Sequence, residues 1–234
     1  MTHPPQPPKI ILASSSPRRR ELLTEAGYQF EIMPPAEDVE CGVCSESGPA
    51  GLVAELAYRK AAAIVRQLQQ QSQPQAPSPM PPRLILAADT VAECDGFILG
   101  KPRDEADARA MLTKLSGREH RVLTGVCLIP VPLPCREGLG EGSVKSRLNE
   151  SAQPLLRVAV TKLQMDRLTN PQLDDYLASG AWEGKAGAFG YQDRLGWVRV
   201  IEGSESNVVG LPLELLAEML AELNQDETTL SLTV

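Results

Sequence analysis

"ILASSSPRRRELL", residues 11–23, passes from an apolar run through three serines and a proline into a stretch with helical character. Lys9 to Ala13 reads as a short buried strand and Ser14 to Ser16 as a turn. Pro17 suits a first helical position, and Gly27 stops a helix that ends at Ala26. The same strand–turn–helix alternation recurs along the chain. Strands are expected at 28–33, 83–89, 120–131, 155–165 and 196–203, with a hairpin turning at Asp95-Gly96. Helices are expected over about 49–71, from an Asp104 cap through 115, over 170–180, and over 211–223. Interleaved strands and helices predict an α/β fold, and no internal repeat is evident.

The flanking and connecting segments differ in composition. Residues 1–9 form a proline-rich lead that reads as disordered rather than as a targeting peptide. "SQPQAPSPMPP" (72–82) is a surface linker, 132–153 a loop insertion, and 224–234 a polar, frayed tail. A single domain over 10–223 is expected between them. The net charge of −7 argues against a nucleic-acid or anionic-membrane partner, which requires a basic face. No apolar run is long enough to span a bilayer. The five cysteines are scattered and odd in number, which suits a cytoplasmic location. Cys41-Gly-Val-Cys44 is a lone CxxC, read as incidental.

Against this acidic background, Arg18, Arg19 and Arg20 stand out. A helix N-terminus offers N–H groups and partial positive charge, and arginines pair with phosphate through two parallel bonds. Three arginines there cost a few tenths of a kcal/mol each unless an anion compensates. Two readings stand: Ser16 caps a helix whose arginines are solvated, or the junction seats an anion. Asp89 ends the run "RLILAAD", at the carboxyl end of a strand where α/β clefts lie, or it opens a turn. Lys60 shares a helical stripe with Val53, Leu56, Ala57 and Ile64, so it must snorkel out or meet an anion. Lys101 and Lys185 sit in glycine-flanked loops. The set suits a polyanionic ligand. P-loop, dinucleotide, HExxH and GxSxG motifs are absent from the sequence, and His120 reads as structural. What remains is carboxylate, lysine and arginine chemistry of the kind used in metal-assisted reactions on phosphates.

Three blocks then acquire a common meaning: "LASSSPRRRELL", "AADTV…ILGKPRDEADARAMLTKLSGREHRVLTGV" and "GKAGAFGYQ…IEGSESNVVGLPL". In this order, over about 10–223, they resemble the signature blocks of the Maf family of nucleoside triphosphate pyrophosphatases. The resemblance implies a two-lobed α/β fold with a curved mixed sheet, flanking helices and a central cleft, like that of inosine triphosphatase. It implies α–β phosphate cleavage of a nucleoside triphosphate substrate, to a monophosphate and pyrophosphate, with a divalent cation, Mg²⁺ foremost and Mn²⁺ as a substitute. Asp89 falls on the family's proton acceptor. Ser14, Ser16 and Arg19 fall on its phosphate-binding positions, and Lys60 and Lys101 on its lysines. Glu37, Asp38 and Glu40 all compete for its metal-binding acid; Glu40 is favoured, with Asp89 as a second ligand. Arg18, Thr90 and Gln192 match the subfamily acting on dTTP and UTP. A glutamine amide both donates and accepts, as the N3–H and O4 edge of uracil or thymine requires. Where that subfamily has glycine after the glutamine, this chain has Asp193. Competing expectations are the same reaction on another base, such as 7-methylguanine, and a nucleotide-binding regulator of cell division without turnover. A homodimer is left open.

Overall fold

Arg83–Cys94, the strand β3, is the axis of the molecule in a computed structural model that describes residues 9–36, 39, 47–71, 83–131, 153–193 and 195–231. Its first half lies parallel to β1 (Lys9–Leu12), which in turn pairs in parallel with β2 (Phe30–Ile32). Its second half folds back through Asp95-Gly96 onto β4 (Phe97–Leu99). On its other side β3 pairs antiparallel with β5 (Glu119–Val131) from Arg83↔Val131 to Glu93↔Arg121, without interruption. β6 (Leu155–Met165) and β7 (Val198–Glu202) continue the antiparallel part. The result is one seven-stranded mixed sheet of order β2-β1-β3-β5-β6-β7, with β4 on β3.

Helices cover both faces, which is why the strands read as near-continuous apolar runs. Ile85 and Ala87 face α2 (Gly48–Gln71), packing with Ala57, Ala61 and Ile64. Leu84, Leu86 and Ala88 point the other way, against Leu23 of α1 (Pro17–Glu25) and Leu216 and Met219 of α6 (Leu213–Ser231). A further cluster joins Ala92 and Cys94 to α3 (Glu105–Leu115) and α4 (Asn170–Ala178). Each fully buried Leu or Ile here contributes ~1.5–3 kcal/mol by leaving water. The backbone of α2 lies directly on β5: a Cβ on Gly125 would sit 2.3 Å from the Val53 carbonyl oxygen. That contact fixes the height of α2, and with it Lys60, two turns further along.

Two expectations change. Asp89 does not end its strand; β3 continues through it, because Val91 and Ala92 bury as well as the residues before it. It is β1 that stops, at Leu12, so the carboxylate emerges where the sheet loses a neighbour. Lys9, counted both in the lead and in the first strand, opens β1 as the strand reading had it, with its ammonium 2.6 Å from Glu31. The last helix runs on to Ser231 through the expected tail, since "NQDETTLS" holds no glycine or proline to end it. Glu37, Asp38, Glu40, Cys41, Cys44, the 72–82 linker and residues 132–152 lie outside the described residues. Among those described, no helix is long and apolar enough to cross a membrane.

Candidate active site

The turn after β1 is organised by Ser14. Its Oγ accepts from the Ser16 backbone N–H and from Arg19 Nη1, each at 3.2 Å. Ser16 holds the N-cap position of α1 in an extended conformation, but its side chain makes no cap bond. The simple capping reading of that serine therefore has no support. Arg19 is buried, and its Nε donates to the Gly210 carbonyl at 2.8 Å and its Nη2 to Thr90 Oγ1 at 3.1 Å. Thr90 also lies 3.0 Å from Thr124 Oγ1, whose hydroxyl donates to the Asn207 carbonyl at 3.3 Å. Asn207 is fully buried and donates through Nδ2 to Thr161 and to the Val122 carbonyl.

Lys60 meets its anion. The ammonium lies 2.5 Å from Asp89 Oδ1, with the two residues 5% and 9% exposed. Regular structure makes the pair: the apolar stripe of α2 packs on the sheet, and β3 presents Asp89 beneath it. Lys185, itself buried, forms a second pair, at 2.6 Å from Oδ1 of the half-buried Asp193. Burial draws the Lys185 pKa down, opposed by the bond to Asp193. Burial, and donation to the same carboxylate, push the Tyr176 hydroxyl well up.

These groups surround one cleft of about 460 Å³. Ser14, Ser16, Arg18, Arg19, Lys60, Asp89, Thr90, Lys101, Lys185 and Gln192 all line it. Two of the expected cations are already committed to carboxylates: the stripe spacing pointed to an anion for Lys60, and nothing in the sequence did so for Lys185. Sequence reasoning also missed Glu183, Phe189 and Val208–Gly210 in the lining. Phe189 and the Val208–Gly210 run lie inside the third block, which was the available signal. Among the described residues no group of three or more His, Cys, Asp or Glu side chains could hold a metal. A Mg²⁺ ion, however, takes one or two protein carboxylates and fills its remaining positions with water and phosphate oxygens. The hard oxygen donor of Asp89 on the cleft wall fits that pattern.

The family model described as "Maf-like protein" matches residues 9–223. The chain belongs to the Maf-like family. A dTTP/UTP pyrophosphatase of Rhodopirellula baltica is 47% identical over 95% of this Maf-like chain and 85% of its own. Another, from Ruminiclostridium cellulolyticum, is 37% identical over 92% of this chain and 96% of its own. The HAM1 protein of Coxiella burnetii has a TM-score of 0.45 at 16% identity, covering 92% of this chain and 99% of that one.

Proposed function

We propose that this Maf-like protein hydrolyses nucleoside triphosphates, dTTP and UTP foremost, to the monophosphate and pyrophosphate. The reading makes it a house-cleaning enzyme of the cytoplasmic nucleotide pool. The observation that carries it is the buried Lys60–Asp89 pair on the wall of a cleft ringed by cations and hydroxyls. Relatives named dTTP/UTP pyrophosphatase supply the substrate class.

In this mechanism Lys101, Lys185 and the hydroxyls of Ser14 and Ser16 receive the triphosphate at the positive end of α1. Arg19 holds Ser14 and Thr90 in place. Asp89 orients a water and takes its proton as the water oxygen bonds to the α-phosphorus. The bond from that phosphorus to the bridging oxygen breaks, and pyrophosphate departs with the electron pair. Lys60 keeps Asp89 aimed. Asp89, with Glu40 as the proposed second ligand, would hold Mg²⁺ or Mn²⁺, an ion that when bound neutralises phosphate oxygens and acidifies water. Gln192, Thr90 and Arg18 read the base.

Pyrophosphate and orthophosphate release from a panel of nucleoside triphosphates with Mg²⁺ tests the reading. Pyrophosphate from dTTP and UTP is expected. Release from another base instead would keep the reaction and discard the base pocket. Orthophosphate alone would overturn the cleavage site, and no release would favour a nucleotide-binding protein without turnover. Size-exclusion chromatography with light scattering tests the homodimer.

A further inference from the structure

Gln192 sits in the middle of a three-residue 3-10 turn, Tyr191–Asp193, closed by the Asp193 N–H donating to the Gly190 carbonyl at 3.1 Å. A turn this short has no helical ladder to hold it. Its two flanking side chains do so instead. On one side the Tyr191 hydroxyl donates to Glu205 at 2.8 Å, in the first turn of α5 (Glu205–Val209). On the other, the Asp193 carboxylate accepts from Lys185 Nζ at 2.6 Å and from the Tyr176 hydroxyl at 2.9 Å. Tyr176 is itself anchored: it is buried on α4, with its ring edge-on to Trp197 at 5.5 Å between centroids. The ion pair lies so close over the backbone that a Cβ on Gly190 would sit 2.5 Å from Lys185 Nζ and 2.7 Å from Asp193 Oδ2. Glycine there admits the pair.

We infer that Asp193 is a positioning residue for base selection, anchoring the Gln192 turn to Lys185 and Tyr176. The inference rests on the proposal that Gln192 reads the base. Asp193 is not among the residues lining the cleft, whereas its neighbour Gln192 and its partner Lys185 both are. An amide that must donate to one base atom and accept from the next works only within the narrow angles of a hydrogen bond. Displacement of about 1 Å is enough to lose the preference. The same carboxylate fixes Lys185, so the group that reads the base and a cation facing the phosphates share one anchor.

The test compares Asp193→Asn, Tyr176→Phe and Gln192→Ala in the full chain, by kcat/KM for UTP and for CTP. Cytosine has the opposite donor and acceptor pattern at N3 and C4. For Asp193→Asn, the UTP-to-CTP ratio should fall about fivefold or more, and for Tyr176→Phe by less in the same direction. A scaffold role would lower both substrates together and leave the ratio alone. Equal losses, or no loss, with the ratio falling in Gln192→Ala would overturn the role of Asp193 and keep the base pocket. A ratio within about twofold of wild type in Gln192→Ala itself would remove the base reading and this inference with it. If Asp193→Asn does not fold by circular dichroism, the ratio in Tyr176→Phe decides.

Discussion

Two lysine–aspartate pairs line or adjoin one cleft, and they are held in opposite ways. Lys60 and Asp89 lie far apart in sequence and meet because a 24-residue helix packs on a 12-residue strand. Lys185 and Asp193 are near neighbours in a segment of short turns, and there the pair itself supplies the order. In the first case the fold positions the charges; in the second the charges position the fold. Removing one member of the buried Lys60–Asp89 pair leaves the other uncompensated, at about 3–5 kcal/mol, and the half-buried Asp193 makes the second pair cheaper to break. The consequences should therefore differ: chemistry is lost at the first pair, placement at the second.

The largest effect belongs to Asp89→Asn, expected to lower kcat for pyrophosphate release about 10³-fold. The unpaired Lys60 should lower Tm as well, so the double variant Lys60→Met/Asp89→Asn should regain stability without regaining activity. Differential scanning calorimetry beside the assay separates the two, and a double variant that turned over substrate would break the comparison. Gly125→Ala touches neither member of the first pair, yet it pushes α2 off β5 against backbone atoms. It should cost about 3 kcal/mol, or roughly 6–12 °C in Tm for a chain of this size, with activity falling as Lys60 shifts. An unchanged Tm would show that the helix height is set elsewhere.

His120 bears on the second pair's neighbourhood through Phe189, to which it is edge-on at 5.3 Å. Burial pulls its pKa down to about 4, from 6.5. Between those values the unfolded chain binds more protons than the folded one, so stability falls as pH drops through that window and is unaffected above it. The loss should approach about 3 kcal/mol at pH 4. His120→Leu should flatten Tm against pH there; a slope that persists would assign it to other groups. The smallest effect is expected for Lys185→Met: KM for UTP about tenfold higher with kcat within about twofold, by steady-state kinetics. A fall in kcat instead would move this lysine to the chemical step.

Local pattern made most elements legible. The α2 stripe, the Asp104 cap and the Asp95-Gly96 turn follow from periodicity and turn chemistry, and each stands where spacing put it. The candidate cleft residues were legible one at a time, and the structure gathers them. Their partners were not. Nothing in the sequence ties Thr90 to Thr124 or Arg19 to the Gly210 carbonyl, because such bonds depend on register between distant segments. Asp89 was misplaced at a strand end because it closes the apolar run "RLILAAD", while burial of Val91 and Ala92 carries the strand on. The metal-binding acid expected among Glu37, Asp38 and Glu40 lies outside the described residues.

The unbroken ladder between β3 and β5 has a consequence for how the molecule comes apart. Eleven successive residue pairs cross from the side packed by α1, α2 and α6 to the side packed by α3 and α4. Neither side can melt without stripping hydrogen bonds and apolar cover from a strand that the other also uses. Unfolding should therefore be a single cooperative transition, and the amides of both strands should exchange with solvent last and together.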